Sequence, residues 1–450
     1  MRTFQTACKR SRAPVTQRPL AVALALGLTP LAGMAGNLIS VTTSGDDGNA
    51  STCTLRQAIV SMNAQSAAGT NCAISAAGID TITFSSNNFP NGATNTITLA
   101  DAVASTLQIS DANLTIDASA NGGVTIQRPL GASNSFGILN ASPAVSGTLT
   151  LDHLTLSNGT GGACDGNGGA ICASHTNLAL TNCTVSGNSS GSRGGAIYSE
   201  FGSVTVTNST LSGNSSGADA GAFLTDGGAI SAVHSGVTLA NSALSGNSAV
   251  FGSGGGISAI AGDVTLTGST LSANTAKRGG GISAQAGAIF LTNSTLSGNS
   301  AANWGGGIYS AYGDAVELTN STVSANSAGV VNVNGGGIFR KTNTYSAIQV
   351  NNSIVAGNVG GDLNKDLTVS SSGNIIGGDP QLGALAANGG PTETMLPLPG
   401  SPAIDAIACT NAPATDQRGV ARPQGAQCDI GAVEVSERIF ADNFDGIPAP

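Results

Sequence analysis

The chain has little charge and few aromatic side chains. Charged residues make up 9% of its 450 positions and aromatic residues 4%, with a single tryptophan. A low charge content is common in membrane proteins, but no apolar run is long enough for a transmembrane helix. The formal net charge of −9 repels nucleic acids and other polyanions, except where a local basic patch overrides the average field. We therefore predict no membrane span in the mature chain and no nucleic-acid partner.

The first residues have the pattern of a secretory signal peptide. Basic residues precede a short apolar run over 20–31, and small residues follow at Gly33 and Ala35. We predict that residues 1–35 direct export and are then removed. The expected location is extracellular, or at the cell envelope or outer-membrane surface.

Cysteine usage fits an oxidising compartment. Seven cysteines remain after Cys8 is removed with the signal peptide. Spacing favours one bridge between the first two and one between the last two, because both pairs close loops of similar size. The middle three leave one odd thiol, and which of them is free stays open. No CxxC pair is present, so we predict neither a metal site nor a cofactor. The disulfide candidates are Cys53, Cys72, Cys164, Cys172, Cys409 and Cys428, and the third of the middle cysteines is Cys183.

Two short strings recur along the chain. Gly-Gly-(Ala/Gly)-Ile begins at seven positions that lie 25 to 33 residues apart, and apolar-(Ser/Ala)-(Gly/Ala)-Asn ends at seven asparagines. Between them, apolar and hydroxyl residues alternate, which predicts strands with one buried face, as at Val204, Thr205 and Val206. The first string begins at Gly168, Gly194, Gly227, Gly254, Gly279, Gly305 and Gly335. The second ends at Asn188, Asn214, Asn247, Asn274, Asn299, Asn326 and Asn358.

The repeat predicts the fold. Each repeat has about three short strands and neither a helical stretch nor a hairpin signal, so equivalent strands should pair in parallel, about 4.8 Å apart. Isoleucine should then stack on isoleucine, and the asparagines should form a hydrogen-bonded ladder at a turn. We predict an all-β fold, a single-stranded right-handed parallel β-helix of the pectate-lyase-like kind, with an N-terminal helical cap and an irregular C-terminal cap.

The ends of such a solenoid need covering, because they present unpaired strand edges. Thr54 to Gln65 has the pattern of a short amphipathic helix that can serve as the N-terminal cap. The repeat is lost after about residue 375. The expected organisation is a signal peptide (1–35), an N-terminal cap (36–78), a parallel β-helix (79–374), a C-terminal cap (375–436) and a flexible tail (437–450).

Three sets of residues resemble known bacterial families. The repeats over 168–358 resemble the GGA(I/L/V) and FxxN repeats of chlamydial polymorphic outer-membrane proteins, with Leu or Val in place of Phe. The string that starts at Cys53, CTLRQA, is similar to the CSLREA motif of bacterial surface proteins. GGPT at 389–392, SPAID at 401–405, DQRG at 416–419 and CDIGA at 428–432 resemble the choice-of-anchor Q domain. The resemblance implies an exported β-helix protein of the cell surface.

One column of residues combines arginine with aromatic side chains. The residue before each Gly-Gly pair should line up along one edge of the solenoid, and such a mixture is typical of a binding patch. The alternative is that solvent-facing turns tolerate any residue, and that Arg193 and Asp226 form an exposed ion pair of little value. The column is Asn167, Arg193, Asp226, Ser253, Arg278, Trp304 and Asn334. The candidate binding residues are Arg193, Asp226, Arg278, Trp304, Tyr309 and Tyr312.

Catalytic residues are not indicated. Carboxylates converge on a β-helix only if they share a repeat position, and the acidic residues occupy unlike positions. Each histidine is also alone at its repeat position, which predicts ordinary surface residues. The acids are Asp165, Glu200, Asp226, Asp263, Asp314 and Glu317, and the histidines are His153, His175 and His234.

The leading interpretation is a monomeric secreted or cell-surface protein that acts as an adhesin or structural scaffold without catalysis. Its expected partners are glycans or cell-surface proteins, because long regular solenoids present wide binding surfaces. The alternative is a carbohydrate-active enzyme on the same fold, either a polysaccharide lyase or a glycoside hydrolase, so enzymatic activity stays an open question.

Overall fold

The computed structural model describes eleven stretches of the chain. The signal peptide expected over 1–35 and the tail expected over 437–450 lie outside them, as do Asp314 and Asn334. The described residues are 36–46, 52–77, 79–101, 106–144, 146–161, 164–217, 226–312, 315–329, 335–341, 348–364 and 373–435.

The chain folds into a right-handed parallel β-helix, which confirms the predicted fold class. A complete coil passes through four sheets, which we name C, A, B and D in the order that the chain visits them. One coil has its strands at Ile171–Ser174, Thr176–Thr181, Thr184–Ser186 and Ser189–Ser190. The repeat predicted about three strands. The fourth, in sheet D, is too short in this coil to show alternation.

The strand bounds in the described residues are as follows. Sheet A contains Gly36–Val41, Ser75–Ala77, Asp80–Phe84, Asn113–Asp117, Gly147–Asp152, Thr176–Thr181, Ser203–Thr207, Gly236–Ala240, Val264–Thr267, Ile289–Thr292, Val316–Thr319 and Ile348–Asn351. Sheet B contains Thr96–Thr98, Val124–Gln127, Leu154–Ser157, Thr184–Ser186, Thr210–Ser212, Ala243–Ser245, Thr270–Ser272, Thr295–Ser297, Thr322–Ser324, Ile354–Ala356 and Ile375–Ile376. Sheet C contains Leu107–Ile109, Leu139–Ala141, Ile171–Ser174, Ile197–Glu200, Ile230–Val233, Ile257–Ile260, Ile282–Gln285, Ile308–Ala311 and Ile338–Lys341. Sheet D contains Ser189–Ser190, Ser215–Ser216, Ser248–Ser253, Thr275–Arg278, Ser300–Trp304 and Ser327–Ala328.

Equivalent residues of successive coils lie in register. The isoleucine of each Gly-Gly-x-Ile string pairs with the isoleucine of the next coil, as Ile171 does with Ile197 and Ile197 with Ile230. Val204 and Val206 are fully buried, whereas Thr205 between them is exposed. The apolar side chains therefore form continuous columns inside the coil, and the hydroxyl side chains form columns outside it.

The first glycine of each string allows a tight turn from sheet D into sheet C. Gly194 has φ +65°, and a Cβ there would overlap the backbone carbonyl of Ile197. Only glycine meets both conditions, because it lacks a Cβ and accepts positive φ.

The predicted asparagine ladder is present at the turn between sheets B and D. The Asn274 Nδ2 donates to Asn299 Oδ1 at 2.9 Å and to the Leu244 carbonyl at 2.9 Å. The same Asn299 Oδ1 accepts from the Asn274 backbone N–H at 3.1 Å. This pattern repeats from Asn188 to Asn358, where Asp362 accepts both donors of the last rung. The ladder satisfies polar groups that the turn buries.

A second ladder of buried hydroxyls lies at the turn between sheets A and B. Each serine Oγ accepts the backbone N–H of the preceding coil and donates to the carbonyl two residues earlier, as Ser269 does with Ser242 and Thr267. Cys183 occupies the first rung. Its backbone N–H donates to Ser209 Oγ at 2.9 Å, and its thiol lies 3.2 Å from the Thr181 carbonyl. The ladder residues are Cys183, Ser209, Ser242, Ser269, Ser294, Ser321 and Ser353.

An α-helix at Leu55–Ala64 packs against the first strands of the solenoid. Thr54 is its N-cap and forms a capping box with Gln57, and Leu55, Ile59 and Met62 are buried. This agrees with the amphipathic helix that the sequence predicted. The Thr54 side chain accepts the Gln57 backbone N–H, and the Gln57 side chain accepts the Thr54 backbone N–H. Both N–H groups would otherwise lack partners at the start of the helix.

The structure contains three disulfides. Cys53–Cys72 and Cys409–Cys428 are the pairs that spacing favoured. The third joins Cys164 to Cys172 and leaves Cys183 as a buried free thiol, which answers the question that the sequence left open.

The segment 373–435 has almost no regular strand and folds back along the outer face of sheet B. Gln417 donates to the Thr270 hydroxyl at 2.8 Å and accepts from the Thr295 hydroxyl at 2.6 Å. The Ala432 N–H donates to the Thr322 hydroxyl at 3.1 Å. The segment thus covers several coils of sheet B that lie more than a hundred residues earlier in the chain. Among the described residues, no helix has the length and apolar character needed to cross a membrane.

Candidate binding face on sheet C

The outer surface of sheet C, which we call face C, carries the sequence-predicted binding residues. Two outward columns of the sheet C strands form its centre. The column before the Gly-Gly pairs borders one side, and the turn that leads into sheet A borders the other. The two central columns contain Tyr198, Ser231, Ser258, Ser283, Tyr309 and Phe339 in one, and Glu200, Val233, Ile260, Gln285, Ala311 and Lys341 in the other.

The column before the Gly-Gly pairs lies in register along the solenoid. The N–H of the following glycine donates to the carbonyl of the next member, as Gly254 does to Arg278 and Gly279 to Trp304. Two side chains add to this pattern: Asn167 Oδ1 accepts the Arg193 N–H at 3.1 Å, and Asp226 Oδ1 accepts the Ser253 N–H at 2.9 Å. The backbone therefore holds each side chain of this column at a fixed step from the next.

Trp304, Tyr309, Phe339 and Arg278 form a compact group, which we call the ring cluster. The ring centroids of Trp304 lie 6.4 Å from Tyr309 and 5.8 Å from Phe339, and those of Tyr309 and Phe339 lie 5.7 Å apart. All three pairs are stacked. The guanidinium carbon of Arg278 lies 5.4 Å from the Trp304 ring centroid and 6.0 Å from that of Tyr309. Such geometry combines cation–π attraction with ring stacking.

Tyr312 and Lys341 extend the ring cluster toward sheet A. The Lys341 ammonium lies 5.5 Å from the Tyr312 ring centroid, and 59% of Tyr312 is exposed. Burial raises the pKa of Tyr309, and the charges of Arg278 and Lys341 oppose that rise. Arg278 and Lys341 therefore both act electrostatically on the same ring.

A second aromatic group lies at the turn into sheet A. The Phe201 ring is stacked between His175, at 5.1 Å between centroids, and His234, at 4.9 Å. The prediction that each histidine stands alone was wrong for this pair. Both occupy the same left-handed turn position as Phe201 in adjacent coils. Each lies seven residues after the first glycine of its Gly-Gly string, so an alignment on the strings would have found the match. His153 lies at a different turn, between sheets A and B.

Arg193 and Asp226 precede the ring cluster in the same column, and Asp226 lies two positions before Arg278. They form no direct ion pair in the described part of the chain. Burial raises the pKa of Asp226, while the Ser253 N–H and the charges of Arg193 and Arg278 oppose that rise. Asp226 thus sits in the combined field of two arginines rather than in a single contact.

Two residues of the ring cluster region were missed from the sequence. Phe339 and Lys341 follow the last Gly-Gly-x-Ile string, and the register places them beside Tyr309 and Ala311. A comparison of the residues after each string, rather than only the residue before it, would have found both.

Metal and acid-base chemistry have little support on this face. No group of three or more His, Cys, Asp or Glu side chains that could hold a metal ion occurs among the described residues. Glu200 lies in a central column of face C and Asp226 in the column that borders it, whereas Glu317 points outward from sheet A. The geometry is therefore that of a stacking and charge-pairing surface.

Comparisons with known proteins add no family assignment. A scan against known families found no match, and a search of curated proteins also found none. The relationship to chlamydial repeats, to proteins with the CSLREA motif and to the choice-of-anchor Q domain therefore stays a prediction. The fold and the geometry of face C are known from the structure alone.

Proposed function

We propose that this protein is an exported, surface-associated β-helix that binds glycans on face C and acts as an adhesin or binding scaffold without catalysis. The observation that supports this function is the ring cluster. Three stacked rings and an arginine are the residue types that dominate binding energies when they meet at one place. Their columns are held by coil-to-coil backbone hydrogen bonds, so little freedom is lost when a ligand binds.

Glycans suit this surface better than an apolar ligand does. A sugar ring has one apolar face that packs on an aromatic ring and a rim of hydroxyls that need hydrogen-bond partners. The face offers Trp304 and Phe339 as half-buried rings, with Gln285 and the Tyr312 hydroxyl beside them. No large apolar groove is needed for such a ligand, because contact with ring faces supplies the burial.

A Trp304→Ala variant tests the proposal. The native mature chain is first applied to a glycan array, and the dissociation constant for the best ligand is then measured by calorimetry. We expect a loss of about 2 kcal/mol or more, roughly 30-fold in Kd, as for a central aromatic anchor. The matched control is Phe290→Ala, which removes a half-buried ring from the outer face of sheet A.

The two variants separate the outcomes. Circular dichroism and thermal unfolding must first show that both retain the fold. Glycan binding that is lost in Trp304→Ala and kept in Phe290→Ala supports the function. Equal binding by both variants, or no glycan bound by the native chain, contradicts it.

A second candidate, a carbohydrate-active enzyme, has one observation in its favour. Burial raises the pKa of Asp226, and a raised pKa is a feature of carboxyls that act as general acids. Glu200 lies in a central column of the same face. Polysaccharides incubated with the mature chain would then release unsaturated or reducing sugars, and Asp226→Ala or Glu200→Ala would abolish the release. Absence of products from the native chain removes this candidate.

A further inference from the structure

We propose that the ligand of the ring cluster is a polysaccharide that carries anionic groups, and that Arg278 and Lys341 bind those groups. This inference rests on the proposed glycan-binding function and specifies its ligand class. It concerns the part of face C from Ser253 onward, which contains both cations and the ring cluster.

Positive charge predominates on this part of face C. Its two central columns contain Ser258, Ile260, Gln285 and Lys341 among others and no carboxylate among the described residues. Its borders contain Arg278, exposed Tyr312 and one carboxylate, Asp263, which accepts the Ala288 N–H at 2.8 Å. The whole chain has a formal net charge of −9. A cationic patch on an acidic protein is a local exception to the average field, and salt screens that average field beyond about 8 Å.

Neither cation forms an ion pair with a protein carboxylate in the described part of the chain, and Asp226 acts on Arg278 only through space. The four ion pairs there involve Arg56, His153, Arg418 and Arg422 as the basic partners. The Nε of Arg278 is buried and makes no hydrogen bond within the described residues. The Arg278 side chain lies against ring faces, at 5.4 Å and 6.0 Å from the centroids of Trp304 and Tyr309. A partly buried guanidinium without a counter-ion is costly, and an anionic ligand would offset that cost.

Rings and cations alternate in a way that fits a repeating acidic chain. Arg278 and Trp304 are direct neighbours in successive coils, and Tyr309 and Phe339 are neighbours in the adjoining column. The coils are about 4.8 Å apart, a step close to the length of one sugar unit. A chain that runs along the solenoid can therefore stack a sugar on a ring and place its carboxylate or sulfate beside Arg278 or Lys341.

Dextrans with one backbone and three charge states provide the test. Neutral dextran, carboxymethyl-dextran and dextran sulfate are titrated against the mature chain by calorimetry at low and at physiological salt. We expect at least one charged dextran to bind tenfold or more tightly than neutral dextran, since a charge-assisted contact contributes about 1.4 kcal/mol or more. The two charged polymers distinguish a carboxylate ligand from a sulfate ligand.

Variants locate the charge preference. The double variant Arg278→Gln and Lys341→Gln should lose the preference for charged dextran. The single variant Arg278→Lys, which keeps a positive charge at this position, should keep part of that preference. Lys277→Gln is the matched control, because it removes one exposed charge next to Arg278 on sheet D rather than on face C. It should leave the preference unchanged.

The failures of the two proposals are distinguishable. Neutral dextran that binds as tightly as both charged forms overturns the anionic ligand and leaves glycan binding intact. The same conclusion follows if the preference survives in the double variant, or if Lys277→Gln removes it equally. If no dextran binds and the array also shows no Trp304-dependent glycan, the proposed function itself fails.

Discussion

The asparagine ladder is predicted to stabilise the solenoid at each rung, and Asn274→Ala is the sharpest test. Asn274 is fully buried in the middle of the ladder. Its Nδ2 donates to Leu244 and Asn299, and its Oδ1 accepts the backbone N–H of Asn247 at 3.0 Å and the Asn247 Nδ2 at 2.9 Å. Alanine removes all four bonds and adds no replacement.

The expected loss follows from what the substitution leaves unpaired. The Asn247 backbone N–H becomes a buried donor without a partner, which costs about 1–3 kcal/mol. The other lost bonds contribute about 1 kcal/mol each, and part of that loss is recovered by local relaxation. We expect the free energy of unfolding to fall by about 3–5 kcal/mol, which is large for a single substitution.

Urea unfolding followed by circular dichroism measures the change, and hydrogen exchange shows whether coils next to residue 274 open first. Hydrogen exchange matters because a solenoid can unfold in parts, so a single transition is not assured. The control is Asn208→Gly, at an exposed left-handed turn position with φ +48° that glycine also accepts. A loss below about 1 kcal/mol in Asn274→Ala would refute the stabilising role of the ladder.

Three further predictions concern other parts of the molecule. Cys183→Ser should change the free energy of unfolding by no more than about 0.5 kcal/mol, because all the other named residues of this ladder are serines. In the native protein burial raises the pKa of the Cys183 thiol to about 11, so a thiol reagent at pH 8 should label Cys183 only after unfolding. Burial raises the pKa of Asp111 to about 6, and its neighbour Asp80 adds to the rise. Between about pH 4 and pH 6 the folded protein thus keeps the Asp111 proton that the unfolded chain has released. The contribution of Asp111 to the free energy of folding is therefore present below about pH 4 and is lost as the pH rises through 6. The urea unfolding midpoint should depend less on pH across this range in Asp111→Asn than in the native protein. Gln417→Ala should lower the free energy of unfolding by about 2–4 kcal/mol and make residues 373–435 sensitive to limited proteolysis. The control Gln424→Ala, at an exposed site, should have neither effect, and equal cleavage of both variants would contradict the role of Gln417 in docking this segment.

The repeated part of the fold was predictable because strict recurrence carries long-range information. The isoleucine column and the asparagine ladder follow directly from strings that recur in every coil, since stacking in register brings equal positions together. Cys183 was predictable in principle as well. Its context, Asn-Cys-Thr, matches Asn-Ser-Thr at Ser209 and Ser294, and so marks it as a ladder residue rather than a disulfide partner.

The docking of the C-terminal segment was not predictable from the sequence. Gln417 meets Thr270 and Thr295 over separations of 147 and 122 residues, and Gln417 belongs to no repeat. Thr270 and Thr295 occupy a position that recurs from coil to coil, so nothing in the sequence marks these two threonines as the partners. Side-chain contacts between a non-periodic segment and one face of a sheet leave no pattern along the chain. The strings around Gln417 and Asp429 indicated a distinct region, but not the surface that it covers.

The candidate site was predictable in part, and the residues that were missed lie at constant offsets from the repeated strings. The residue before each Gly-Gly string gave Arg278 and Trp304. Tyr309 and Phe339 each lie four residues after the first glycine of their string, and His175 and His234 each lie seven residues after it. Alignment on the strings therefore relates both pairs, whereas the contacts between columns, such as that of Arg278 with Tyr309, need the three-dimensional structure.

Face C is also where the chain departs from the residues that its own geometry favours. At the turn between sheets A and B, left-handed positions are filled mainly by asparagine, which tolerates positive φ. At the turn beside face C, the same conformation is adopted by Phe201 and Tyr312, with 50% and 59% of their surfaces exposed. A bulky residue there costs about 1–2 kcal/mol of backbone strain and gains little burial. Arg278 adds a guanidinium that forms no ion pair in the described chain. Ring stacking and cation–π contacts offset part of these costs, and the proposed ligand binding on face C would account for the rest.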